Sequence, residues 1–239
     1  MTRTILLLHG LGATAAVWNG VRREIEQRAI GECLAPDLGG HGASQWQAQY
    51  TVGAHAAEVA VLVHGKQEVF VIGHSLGAYI GLALASRWFG VEVAGVVGVG
   101  PKITWSEADL KGSRELADRP VRWYATAEEA WARYRRVSGL DAGVAAADEW
   151  FERGIVQGEE GWRLAQDPRT FAVAGAPFDS LAKSARARVI LARGERDAMV
   201  SSAELRAHAA ETIEIAGCGH NVQVEKPDAI VDLLQKVMT

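Results

Sequence analysis

The sequence predicts an α/β protein: a doubly wound, mostly parallel sheet of six strands carrying an inserted helical segment. Three observations predict it. Short continuous apolar runs recur six times, helix-length segments separate them, and one stretch, residues 102–183, breaks the rhythm. Continuous runs, rather than strict alternation, are what strands covered on both faces require.

The elements follow in order. "TILLLHG" (4–10) reads as a buried strand ending at His9-Gly10. Residues 15–29 form an amphipathic helix, with Val17, Val21 and Ile25 on one face and Arg22, Arg23, Glu24 and Glu26 facing out. "GECLAPD" (31–37) is a weaker second strand, stopped by Pro36, and a helix follows at 54–65. "EVFVIGHS" (68–75) is the third strand, and "AYIGLALASRWF" (78–89) is apolar almost all round, as a buried helix would be. "VAGVVGVG" (93–100), ended by Pro101, is the fourth strand. "ARVILARGERD" (187–197) and "TIEIAGCGH" (212–220) are the fifth and sixth, with helices at 202–211 and 227–238. Pro227 suits the first turn of the last helix, where a missing N–H costs nothing.

The interrupting stretch offers no strand. Residues 127–137, 143–155 and 161–178 read as helices joined by loops. Five of the eight tryptophans fall here: Trp105, Trp123, Trp131, Trp150 and Trp162. An insertion of this size is seldom idle. It reads as a helical lid over the carboxyl ends of the strands, with Trp105, Trp131 and Trp150 as candidate substrate contacts, although most aromatics serve as core. The expected division is a core of 1–101 and 184–239 and a lid of 102–183.

Composition narrows the function. The chain has 239 residues, 49% of them hydrophobic and 23% charged. That suits one large domain, or one with an insertion. A net charge of −4 gives no electrostatic reason to expect nucleic acid or an anionic membrane as partner. Cys33 and Cys218 lie far apart without metal-binding spacing, so neither a disulfide framework nor a zinc site is indicated. The opening apolar run is too short to span a bilayer and lacks a signal-peptide pattern, so a cytoplasmic protein with reduced thiols is expected. No cofactor or metal is expected, the partner is a small-molecule substrate, and oligomeric state is unreadable.

The chemistry starts at "FVIGHSLGAYIGLALA" (70–85). Gly73 and Gly77 flank Ser75 where a strand must turn sharply into a helix, lifting the serine clear of the sheet. The helix start offers free N–H groups and the positive end of a dipole. A serine needs a base, and the base an orienting carboxylate. Asp197 follows the fifth strand and His220 the sixth, both at the carboxyl edge where open parallel sheets gather their sites. Glu195 remains an alternative acid; after the fourth strand no acid occurs until Glu107. The other histidines suit less well. His55, His64 and His208 read as surface residues on helices, His9 and His41 as braces for loops, and His74 as pointing away from the nucleophile. The N–H groups of Leu11 and Leu76 are the expected oxyanion hole, each arm contributing about 3 kcal/mol.

"HGLGA", "PDLGGHGAS", "GHSLG", "GERD" and "GCGHNVQVEKP", in that order, resemble the successive signatures of the α/β-hydrolase superfamily over nearly the whole chain. The resemblance implies Ser75 as nucleophile, Asp197 as acid and His220 as base. Within the superfamily the chain looks most like small lidded esterases, enol-lactonases and carbon–carbon bond hydrolases. It departs in two places. The strand ending in His-Gly begins almost at Met1, which implies a reduced sheet in the order 2-1-3-4-5-6. Gly39 stands where a proline is common.

The leading reading is a serine hydrolase acting on a small, largely apolar ester, thioester or lactone through an acyl-enzyme. A second keeps the triad but cleaves or forms carbon–carbon bonds in a keto-acid. That substrate's carboxylate would need one of Arg119, Arg122, Arg133, Arg135, Arg136 or Arg153. A third is a ligand receptor with slow turnover.

Overall fold

Six apolar runs become six parallel strands; the inner ones, Thr4–Leu8, Val69–His74 and Val93–Val99, are buried almost throughout, which explains why they lack alternation, while the edge strands Glu32–Leu34 and Glu211–Ile215 are only partly buried. The computed structural model describes residues 3–140 and 153–239. In chain order the first half holds β1 (Thr4–Leu8), a 3-10 turn (Ala15–Trp18), α1 (Asn19–Gln27), β2 (Glu32–Leu34), α2 (Val52–Val63), β3 (Val69–His74), α3 (Leu76–Ala85) and β4 (Val93–Val99). Between β4 and the next strand of the main sheet come α4 (Glu107–Ala117), α5 (Ala127–Ser138), β5 (Ile155–Gly158), β6 (Gly161–Leu164), a second 3-10 turn (Pro168–Val173) and α6 (Phe178–Ser184). The chain finishes with β7 (Arg188–Gly194), α7 (Ser202–Arg206), β8 (Glu211–Ile215), α8 (Val222–Glu225) and α9 (Pro227–Val237).

The main sheet runs β2-β1-β3-β4-β7-β8, all parallel. This is the order 2-1-3-4-5-6 of the sequence reading. Successive residues of a strand point to opposite faces, and both faces are covered. Ile5, Leu7, Ile72 and Val97 pack with Val21 and Ile25 of α1 and with Ile230 and Leu234 of α9. Leu6, Leu8, Val71 and Val96 pack on the other face with α2 and α3. Helix α3 is buried along all ten residues, because it lies between the sheet, α2 and α6.

The segment between β4 and α6 differs from expectation. It is not wholly helical: β5 and β6 pair antiparallel, Ile155 opposite Leu164, around Glu159 and Glu160. Gly161 adopts φ 115°. Tyr124 and Trp162 exchange backbone hydrogen bonds of 2.7 and 2.9 Å, so a third strand fragment joins the hairpin. Residues 161–178, expected as one helix, are thus a strand, a 3-10 turn and the first residue of α6. The expected helix at 143–155 lies outside the described residues up to 152, and Ile155 opens β5. Strands of four residues, closed by a turn of two glutamates, carry too little pattern to read.

Helix α4 was not singled out by the sequence. It carries a capping box, with the Ser106 hydroxyl accepting from Asp109 N and the Asp109 carboxylate accepting from Ser106 N. Helix α6 packs on α3, with the Phe178 and Tyr79 rings 4.9 Å apart. The insertion is also tied to the loop after β2. Asp167 N donates to Gly40 O at 2.8 Å, Tyr50 Oη to Asp167 Oδ2 at 2.8 Å, and Trp46 Nε1 to Ala165 O at 3.1 Å.

Candidate active site

The sheet's hydrogen-bond ladder runs past the strand ends and aligns the site. Ser75 N donates to Val99 O at 2.8 Å, Gly100 N to Ala192 O at 2.8 Å, and Glu195 N to Ile215 O at 2.9 Å. Three loops therefore leave the carboxyl edge side by side. Ser75 has φ 51° and ψ −111°, a conformation that costs a non-glycine residue on the order of 1–3 kcal/mol. Tight packing enforces it. A Cβ at Gly77 would stand 2.0 Å from Leu8 O, and one at Gly73 would stand 2.2 Å from Gly77 O. Only hydrogen at both positions lets α3 start this close to β1 and β3. Leu11 and Leu76 line the same cavity as Ser75. Among the described residues neither backbone N–H donates to a protein acceptor.

His220 and Asp197 stand side by side on the loops after β8 and β7. His220 Nδ1 lies 3.0 Å from Asp197 Oδ2. A carboxylate can only accept, so Nδ1 donates and Nε2 keeps the lone pair. The Asp197 side chain is fully buried, against 19% exposure for His220. Asp197 Oδ1 accepts from Met199 N at 2.9 Å, and Arg193 Nη2 donates to its backbone O at 2.6 Å. Gly100 leaves the room this needs: a Cβ there would lie 3.0 Å from Asp197 Oδ2 and 3.1 Å from His220 Nδ1. Glu195, the alternative acid, turns outward and accepts from Gly217 N at 2.8 Å.

Two histidine expectations are corrected. His74 does not simply point away: its ring centre is 4.6 Å from that of His220. Its Nε2 donates to His220 O at 3.0 Å. Burial, then the neighbouring His220 ring, hold the His74 imidazole well below its ordinary pKa. His55 is buried rather than exposed, stacked 5.8 Å from Tyr50 and facing Glu58 at 3.6 Å; burial lowers its pKa. Helical spacing signals this, since 52, 55, 56, 59 and 63 share the buried face of α2. His64 is exposed, and His208 is half-buried with its ring 5.5 Å from Phe178. His9 and His41 brace their loops: His9 Nε2 accepts from Leu38 N at 2.9 Å and His41 Nε2 from Gly12 N at 3.2 Å. Burial lowers both, His9 to about 4.

Ser75 and His220 open into a cavity of about 310 Å³. Its lining is mostly apolar; the far wall, from the insertion, supplies Trp105, Leu116, Val137, Phe171 and Val173, and with them the charged Lys102, Asp109 and Arg136, the last one of the arginines named from the sequence. Of the three candidate tryptophans, Trp105 lines it. Trp131 does not; it packs edge-on against Tyr134 at 6.1 Å and against the core beneath. At about 100° per residue, six residues before Val137 on α5 is a different helix face. Trp150 lies outside the described residues. The sequence reading missed Lys102, Tyr79 and Asp109. Lys102 Nζ sits 3.0 Å from Asp109 Oδ1 and 4.7 Å over the Trp105 ring. Its hydrogen bond pulls the Asp109 carboxyl down to about 2. Tyr79 Oη donates to Lys102 O. Among the described residues no cluster of His, Cys, Asp and Glu could hold a metal ion. No helix among them is long and apolar enough to cross a membrane.

An open parallel sheet, a strained serine ahead of a buried helix and a His–carboxylate pair on the loops beyond place the molecule in the parallel α/β class. The chain belongs to the alpha/beta hydrolase family, whose model matches residues 5–233. Lipase LipV of Mycobacterium tuberculosis is 26% identical over 248 residues, covering 97% of this chain and 91% of that protein. Among solved structures, E-2-(acetamidomethylene)succinate hydrolase superposes with a TM-score of 0.80 at 19% identity, over 99% of this chain and 91% of that one. A thermophilic esterase from Thermogutta terrifontis superposes at 0.75 with 23% identity, over 99% and 91%. At these identities the two structures share the fold.

Proposed function

We propose that this protein is a serine hydrolase that cleaves a small carboxylic ester, thioester or lactone through an acyl-enzyme. The observation that carries this reading is the 3.0 Å contact between Asp197 and His220, on loops beside a serine held at φ 51°, with Ser75 and His220 facing one cavity. His220 Nε2 takes the Ser75 proton as Oγ attacks the carbonyl. Asp197 fixes the tautomer and stabilises the imidazolium. The N–H groups of Leu11 and Leu76 receive the oxyanion. The leaving group departs with the proton from His220, and water then reverses the sequence.

The mostly apolar lining supports a substrate that is apolar around its reacting carbonyl. The insertion, residues 102–183, acts as the lid. Two unpaired cysteines support a working place in the cytoplasm. Lys102, paired with Asp109, and Arg136 both line the cavity, so the second reading, a keto-acid whose carboxylate meets an arginine, keeps Arg136 as its candidate contact.

The test is hydrolysis of p-nitrophenyl esters of increasing acyl length by the wild type and Ser75→Ala. Turnover is expected in the wild type and should fall on the order of 10⁶-fold in kcat in the variant. Turnover that survives Ser75→Ala would remove the serine from the mechanism.

A further inference from the structure

A second cavity, about 160 Å³, lies beside the first. Leu116, Val137 and Phe171 wall both, so one layer of side chains divides them. Their charge differs. Among the described residues the second is lined by Arg119, Arg122 and Arg133 and by no acidic side chain. Lys102, in the first cavity beside Arg136, has its carboxylate partner; among the described residues Arg119, Arg122 and Arg133 have none. Arg122 lies 4.9 Å from the Tyr124 ring centre, a stacking that leaves guanidinium edges free to fork onto an anion. Three like charges around one small hollow repel each other, and an anion between them reverses that.

The two cavities are also in reach of one ligand. Arg133 and Val137 are four residues apart on α5, so they share a face and stand about 6 Å apart along the axis. An anion held at Arg133 is one helical turn from the wall of the cavity that contains Ser75.

We propose that the second cavity binds the anionic end, carboxylate or phosphate, of the molecule whose ester or thioester carbonyl is attacked at Ser75. The substrate passes over Leu116, Val137 and Phe171, apolar in the middle and charged at the far end. This inference rests on the ester-hydrolase reading and deepens it. Two sources share the chemistry: a terminal carboxylate on the acyl chain, or a phosphate on the thiol that carries it.

Two arms separate the sources. One compares kcat/KM for mono-p-nitrophenyl esters of succinate through suberate with alkanoates of equal length. The other compares acyl thioesters of phosphopantetheine with those of pantetheine. The anionic-to-neutral ratio is expected to exceed one in one arm, to peak at one chain length, to act through KM, and to shrink as NaCl rises. Arg133→Met should cut the ratio about tenfold, and the triple variant with Arg119→Met and Arg122→Met should abolish it. Arg114→Met, on α4 but outside both linings, should leave it alone. A ratio of one in both arms, or a ratio indifferent to the triple variant, overturns the inference.

Calorimetric binding of suberate and of phosphopantetheine to Ser75→Ala, with and without the three arginine substitutions, keeps the two proposals apart. Arginine-dependent binding without ester turnover keeps the anion site and removes the esterase. Ester turnover without such binding does the reverse.

Discussion

The cavity has two walls of opposite construction. On the sheet side, all ten residues of α3 are buried, and glycines sit where no Cβ would fit. On the insertion side, α4 buries none of its residues fully, and a Cβ at Gly112 would meet nothing within 4 Å. On the sheet side one added carbon would force the backbone to move, whereas at Gly112 of α4 it would meet open space. Substitutions should therefore act on rate and fold at the first wall, and on selectivity at the second.

The largest test of that contrast after the nucleophile itself is Asp197→Asn. It keeps the shape but presents an amide to His220 Nδ1, favouring the wrong tautomer. In a triad of this kind kcat should fall about 10⁴-fold with an unchanged melting profile; a loss under tenfold would mean that Asp197 does not orient the base. Gly77→Ala comes next. Its methyl would stand 2.0 Å from Leu8 O, so the backbone must move, at a cost of about 3 kcal/mol or more, read by denaturant titration.

Acid should loosen the same wall. His9, His41, His55 and His74 all have pKa values lowered by burial, His9 to about 4. Unfolded, each takes up a proton near pH 6.5; folded, it does so only at lower pH. Between those values the unfolded chain binds more protons. Stability is thus fully present above pH 6.5 and falls with pH, by about 1.4 kcal/mol per unit for each histidine in its window. Residues 102–183 contain no histidine, so the loss belongs to the sheet side. A urea midpoint equal at pH 7.5 and pH 5 would contradict it. The smallest effect is on the other wall: Gly112→Ala, mid-helix in open space, should add about 0.5–1 kcal/mol.

The same contrast explains what the sequence made legible. The strands follow from apolar runs, uninterrupted in the inner ones, their order follows from the family resemblance, and Asp197 and His220 were picked out by residue type at strand ends. The hairpin of β5 and β6 was missed because four half-exposed residues per strand carry no such run. Trp131 was misassigned because tryptophan says "buried" without saying where. His74 was misjudged because its contact, a ring and a carbonyl 146 residues away, is set by the register of three strands. The arginines of the second cavity were visible as residues, but their convergence depends on how α4, α5 and the turn at 168–173 pack.

One feature of the connection reaches beyond chemistry. The insertion leaves from the end of β4 and returns at the start of α6, where Phe178 meets Tyr79 near the first turn of α3. Both junctions lie at one edge of the sheet, and β4 and β7 are neighbours without it. The segment is therefore a cassette. Exchange of the segment between relatives would leave every pairing of the main sheet in place, so the edge that carries Ser75 can stay constant while the wall facing it changes wholesale.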